Sequence, residues 1–271
     1  MKTRIITGCV LIPLTMAAIL LGGWVFDVIC IAAIALALHE MTGALIKKGH
    51  QVVRWPVWAA TVLAVPAFLV YKGEALLPIL FGTILIITMY VLFHGEPHLE
   101  DILVSVMPLL SVTLPGMCLL SQNHAVNELW RVPLICLSLL VPVAGDTAAY
   151  FIGVRFGSKK LIPKVSPNKT VEGAAAGLMG SVLCALAIWG IACATMGDKV
   201  LMPPVWHFAI VGLLGGVVGQ VGDLYASLIK RHCGIKDYSN LIPGHGGVMD
   251  RMDSILFVSA LVYIYQQILL K

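Results

Sequence analysis

The chain has 271 residues, of which 59% are hydrophobic and only 12% charged, against about 25% charged residues in a soluble globular domain. That excludes an ordinary cytosolic enzyme, which could not hide so much apolar surface, and a disordered chain, which needs the opposite balance. What remains is an all-α polytopic membrane protein, with room for about nine helices of roughly 20 residues and none for a sizeable soluble domain. The net charge of +4, from 18 Lys and Arg against 14 Asp and Glu, is too mild to imply nucleic acid as a partner.

Lys2 and Arg4, followed by an apolar run to Leu21, have the outline of a secretory signal. No small-x-small cleavage site closes the run and another follows at once, so we read a first transmembrane helix with a cytosolic N-terminus. Spans are predicted near 5–21, 24–46, 53–71, 75–93, 102–120, 132–153, 172–195, 205–231 and 253–270, with Pro78, Pro108 and Pro115 interrupting the fourth and fifth. With nine spans, 14 of the 18 basic residues fall inside and only Lys72, Arg131, Lys199 and Lys271 outside, the asymmetry of the positive-inside rule. Both long polar loops, 154–171 and 232–252, then face the cytosol. Residues 1–131 are read as a scaffold of transmembrane helices, with dimer contact or lipid entry as candidate roles. Residues 132–271 are read as the region that carries the chemistry and draws a cytosolic co-substrate. The seven cysteines show no C-x-x-C spacing and six lie in apolar stretches, so they are packing residues and not a disulfide or zinc framework.

In chain order, Glu40 near the inner end of the second span has no evident partner. His94 and His98 are spaced i, i+4 but lie in a proline-containing loop. Asp146, Tyr150, Gly153 and Gly157 share one face at helical spacing, and an aspartate that deep is by default functional, a buried structural hydrogen bond being the alternative. The first loop reads S-P-N-K-T-V-E-G from Ser166 to Gly173. Ser166, Asn168 and Thr170 are each competent helix caps, and Lys169 stands just before a helix start, where N–H donors attract phosphate. A capped helix with a snorkelling lysine would look the same. Gly212, Gly215, Gly216, Gly219 and Gly222 let helices approach closely, and Gly173, Ala176 and Gly177 do likewise on the preceding span. Asp223, Ser227, Lys230 and Arg231 share a helical face. Asp223, in lipid at about 2.5–3.5 kcal/mol, needs a cation, a partner or water; a salt bridge to Lys230 is the plain alternative. Pro243-Gly244-His245-Gly246-Gly247 is a tight turn whose N–H groups can form an anion-binding nest. Asp250 and Asp253, i and i+3 at a helix entrance, suit a hard divalent cation such as Mg²⁺, or simple capping.

At this point the residues match a pattern. Ser227, Lys230, Arg231, Lys236, Asp237, Pro243, His245, Gly246, Gly247, Asp250, Arg251 and Asp253 fall on S-x-x-K-R-x4-K-D, P-x-H-G-G and D-R-x-D. This resembles the signature of phosphatidate cytidylyltransferases, also called CDP-diacylglycerol synthases. The D-T-A-A-Y and S-P-N-K-T-V-E-G segments look like that family as well. The resemblance covers roughly 140–270; the first 130 residues share only hydropathy and the acidic Glu40.

The resemblance implies that CTP and phosphatidate, a lipid of the bilayer, give CDP-diacylglycerol and pyrophosphate with Mg²⁺, and with a second metal or a monovalent cation as a further candidate. It implies a homodimer, and an active site facing the cytosol in a membrane that the short loops suit as a bacterial plasma (inner) membrane. The phosphatidate phosphate is already an anion, so in-line attack on the α-phosphorus needs no strong base. Asp223 and Asp250 come first as metal ligands, with Asp253 and Asp146 next. Lys169, Lys230, Arg231 and Lys236 are assigned to the triphosphate or the lipid head group. Arg251 either joins them or orients Asp250. Ser166 and Asn168 are candidates for the nucleotide, and His245 with Gly246 and Gly247 for the departing pyrophosphate. A CDP-alcohol phosphotransferase would show D-G-x-x-A-R, which is absent. A cation-coupled transporter would move solute without turning over CTP.

Overall fold

The computed structural model describes residues 13–71, 75–125, 127–197 and 202–269. Lys2, Arg4, Cys9, the start of the first expected span, Lys72, Lys199 and Lys271 lie outside them. The described chain is mostly helical: α1 (13–21), α2 (Gly23–Lys47), α3 (Arg54–Tyr71), α4 (Leu76–Phe93), α5 (Leu99–Pro108), α6 (Leu114–Asn123), α7 (Arg131–Phe156), α8 (Val171–Met196), α9 (Val205–His232) and α10 (Met249–Leu269). Among the described residues, six helices are long and apolar enough to cross a membrane: α2, α4, Leu99–Asn123, Glu128–Phe156, α8 and α9. Helices α1, α3 and α10 stand at the other three expected positions and are not among the six. The apolar side chains turn outward as lipid requires: Leu77 and Phe93 of α4 and Trp24 of α2 are each more than three-quarters exposed.

The loop between α7 and α8 corrects the purely helical expectation. It folds into an antiparallel hairpin, β1 (Lys160–Ile162) with β2 (Ser166–Thr170), pairing Lys160 with Thr170 and Ile162 with Ser166. Pro163 and Pro167 deny the segment a helical ladder and hold their neighbours extended.

The chain divides into two compact units. The first holds the described residues up to Ser121 together with His232–Met252, and the second holds Gln122–Arg231 with the residues from Asp253 onward. In the first unit, Ile34, Leu38, Met41 and Leu45 of α2 are buried. Pro108 cannot donate to the carbonyl four residues back, yet the helix does not break. It widens into a π turn, Leu109–Thr113, and resumes as α6. Thr113 Oγ1 meets Thr61 Oγ1 of α3 at 2.8 Å, and Ser105 Oγ accepts from Val53 N at 2.9 Å.

The second unit is packed through small residues. On α9 the glycines face two ways. A Cβ at Gly212 would meet Val182 and Ser181 of α8 at 2.8–2.9 Å, while one at Gly222 would stand 2.6 Å from the Asp253 carbonyl and 2.9 Å from the Phe257 ring of α10. Between α7 and α8, Gly173 rests on the Ala149 carbonyl and Gly180 on that of Ala144. Gly173 and Gly177 thus serve the close contact expected of them, and with no side chain between the backbones dispersion replaces the hydrophobic effect as the cohesive force. A core of Trp130, Leu137, Phe208, Val258 and Val262 fills the rest.

Because Gly222 abuts backbone, Gly222→Ala should lower stability by about 1–3 kcal/mol through overpacking. The thermal unfolding midpoint of the purified chain in detergent checks this, with an unchanged midpoint as the contrary result.

Candidate active site

In the second unit, the end of α7, the hairpin, the start of α8 and the C-terminal half of α9 line a cavity of 610 Å³. That is within the range of small-molecule sites. Asp146, Tyr150, Asn168, Lys169, Gln220 and Asp223 line it, together with Gly153 and Gly157. Thr170 is the N-cap of α8, its hydroxyl accepting from Gly173 N at 3.1 Å. This fixes the direction of β2 and hence of Lys169. Gly157 makes room for the cap, since a Cβ there would come within 2.6 Å of the Thr170 methyl. Glu172 in the first turn of α8 accepts from Ser158 Oγ and from Lys159 N, tying the hairpin to the helix start. Arg231 Nε donates to the Val165 carbonyl at 3.3 Å and holds the hairpin from α9.

Lys169 Nζ and Asp223 Oδ2 form an ion pair, each side chain about one-quarter exposed (26% and 25%). Asp223 therefore finds a cation on the hairpin, from outside its own helix. Lys230 is buried and lies with Asp223 and Asp146 in the electrostatic surroundings of Asp253, itself buried at 5% exposure. Three carboxylates thus share two lysines in an apolar bundle. Such an excess of negative charge is what a divalent cation relieves. Among the described residues no three Asp, Glu, His or Cys side chains converge tightly enough to hold a metal alone. The donor set fits Mg²⁺ in its usual manner, with one or two carboxylates completed by substrate phosphate and water.

In the first unit, the segment after α9 folds around two carboxylates. Asp250 Oδ2 accepts from Tyr238 N and Gly247 N, both at 2.9 Å. Gly246 has φ +85° and passes so close that a Cβ would lie 2.9 Å from Asp250 Oδ2, so this turn needs glycine. Glu40 of α2 accepts from Ser239 Oγ, Val248 N and Met249 N. His245 N bonds to the Ile242 carbonyl. The N–H groups of Gly247, Val248 and Met249 thus serve carboxylates of the protein. The buried Nδ1 of His245 has no protein partner. Lys236 and Arg251 are exposed.

Of the residues singled out from sequence, Asp146, Asn168, Lys169 and Asp223 line one cavity, while Ser166 sits on β2 away from its lining. His245, Gly246 and Gly247 share the loop of the first unit, and Asp250 stands in the first turn of the helix that follows it. Sequence reasoning overlooked Gln220, whose amide donates to the Ala174 carbonyl at 2.9 Å at the cavity wall, and Ser239. It noted Glu40 without a role; a carboxylate at the end of an apolar helix was the signal.

A model of the cytidylyltransferase family matches residues 2–269. A phosphatidate cytidylyltransferase of Bacillus subtilis is 31% identical over 272 residues, covering 97% of this chain and 96% of its own. One from Synechocystis is 30% identical over 296 residues, 98% of this chain and 97% of its own. One from Staphylococcus aureus is 41% identical over 130 residues, 48% of this chain and 47% of its own.

Removing the cap hydroxyl in Thr170→Ala should lower stability by about 1 kcal/mol, and Thr170→Ser should retain most of it. Thermal unfolding of the two variants side by side is the check; equal losses would mean the methyl, not the hydroxyl, matters.

Proposed function

The chain belongs to the cytidylyltransferase family, and from that premise we propose that it joins CTP to phosphatidate, yielding CDP-diacylglycerol and pyrophosphate, at the cytosolic face of a bacterial plasma membrane. The near-complete match to bacterial proteins named phosphatidate cytidylyltransferase carries this reading. The cavity beside Lys169 and Asp223 supplies chemistry that suits it, being large enough for a nucleotide and walled by both charges.

A phosphatidate phosphate oxygen attacks the α-phosphorus of CTP, the α–β bridging bond breaks, and pyrophosphate leaves in line. Little covalent work falls to the protein, so its residues position and neutralise. Lys169 begins paired with Asp223. An entering phosphate competes for the ammonium and frees the Asp223 carboxylate, which would then be one of the groups able to hold a hard cation. Asp223 and Asp253, with Asp146 beside them, are the carboxylates we assign to Mg²⁺, which when bound would neutralise phosphate charge as it develops. Buried Lys230 offsets Asp253 in the absence of substrate and is drawn to phosphate in its presence. Arg231, fixed by the Val165 carbonyl, keeps the hairpin at the cavity, and Asn168 faces the nucleotide. Lys236, exposed in the first unit, is the cation of its segment suited to phosphate. The unpartnered Nδ1 of His245, and not the backbone of its glycines, is the group suited to pyrophosphate. Asp250 keeps that loop in shape and Arg251 orients it or adds charge.

Two measurements test this. Asp223→Asn should reduce conversion of radiolabelled CTP into lipid by about 100-fold and shift the Mg²⁺ requirement upward. Near-normal activity with an unaltered Mg²⁺ response would sink the metal assignment, and a purified wild-type chain that turns over no CTP would sink the reaction. For orientation, Lys160→Cys in a cysteine-free background should react with an impermeant maleimide in inside-out vesicles and not in intact cells. The reverse pattern would turn the hairpin to the other face.

A further inference from the structure

Glu40 stands outside everything assigned above. Its carboxylate is buried, at 8% exposure, and three donors from one distant segment converge on it. Ser239 Oγ donates to Oε1 at 2.6 Å, Val248 N to Oε1 at 3.1 Å and Met249 N to Oε2 at 2.8 Å. Met249 opens α10, so the last two donors belong to a helix N-terminus, whose N–H groups have no partner within the helix and whose dipole favours an anion. Glu40 is the anion, brought from α2. The backbone at Gly247 passes directly against the carboxylate, so that any Cβ there would overlap it. Ser239 Oγ in turn accepts from Leu241 N at 3.1 Å, which extends the hold to the turn before the glycines. A second tie joins the same segment to α2's end: His232 Nε2 and His50 Nε2 are 2.7 Å apart, with stacked rings.

We infer that Glu40 is a positioning residue for the reaction: by bonding Ser239, Val248 and Met249 it sets the conformation of the 239–249 loop that carries His245 and delivers the chain to Asp250. The inference rests on the proposed cytidylyltransferase reading for its activity arm only. Glu40 makes no contact with the reacting atoms. It acts through backbone, and its charge satisfies α10 so that the loop's own amides need not turn to substrate. Asp250 draws the loop inward from one side and Glu40 from the other, so the loop has its shape before any ligand arrives. Binding then costs no ordering of the loop.

The test compares Glu40→Ala, Glu40→Gln and Ser239→Ala in the purified full chain, reading CTP turnover, amide exchange of the 239–249 peptide and rescue by formate. Glu40→Ala should lose about 100-fold in turnover through misplacement of the loop, with faster exchange at Val248 and Met249. Formate, a carboxylate small enough for the vacated space, should restore turnover saturably and slow the exchange again. Glu40→Gln, the same shape with an N–H₂ in place of one acceptor, should show the faster exchange and a loss that formate does not repair. Exchange that stays unchanged in both variants overturns the inference. So does turnover of Glu40→Ala that formate leaves unmoved although the thermal midpoint is near wild type. Should neither Glu40 variant fold, Ser239→Ala decides, since it keeps the carboxylate and removes one donor: faster exchange with lower turnover supports the hold, and no change in either overturns it. A wild-type chain without CTP turnover would refute the reaction and leave the exchange arm to judge Glu40 alone.

Discussion

A charge on an apolar helix must be answered by another group, and the structure is organised around those answers. In lipid a lone carboxylate costs several kcal/mol, so each one selects a partner from elsewhere in the chain. Asp223 selects Lys169 on the hairpin, Asp253 has Lys230 and two other acids about it, and Glu40 takes three donors from the loop and α10. For Asp223 and Glu40 the partner lies in a segment that the helix pattern alone would leave free, whereas Lys230 stands on α9 itself. The polar loops are therefore held by the membrane helices.

Small residues make those partnerships reachable. In the second unit the glycines of α9, and those of α7 and α8, bring backbones together until a single methyl would intrude. A bundle spaced by leucines would set its helices further apart, beyond the reach of an aspartate. The first unit solves a related problem differently. There a proline that would break a helix in water shifts the ladder into a π turn, whose Thr113 meets Thr61 of α3.

The helices were legible because lipid-facing runs are long and unambiguous: α8 spans Val171–Met196 against an expected 172–195, and α9 ends one residue beyond its predicted end. The cavity side of the site was legible for a related reason, since charges are so few that Asp146, Lys169 and Asp223 stand out. The hairpin was not, because strands of three and five residues carry too little alternation to register. Nor was the pairing of Asp223. Lys230 is near it in sequence and on the expected face, while Lys169 arrives from a hairpin whose existence was unread. The grouping of 232–252 with the N-terminal helices was hidden too, because hydrogen bonds from Glu40 to Ser239 and Met249 cross 199 and 209 positions and leave no periodic trace.

That last separation has a consequence for how the protein is made. Helix α2 is synthesised and inserted early, and its Glu40 carboxylate enters the bilayer boundary with none of its eventual donors yet in existence. At about 5–20 residues per second, some 10–40 s pass on the ribosome before Ser239, Val248 and Met249 emerge. During that interval Glu40 has none of the donors that hold it in the finished chain. Only when the start of α10 leaves the ribosome can those bonds close. The hold on the end of the second helix is thus completed 199 to 209 positions after Glu40 itself is made, and a ribosome stalled before residue 239 would leave that carboxylate without it.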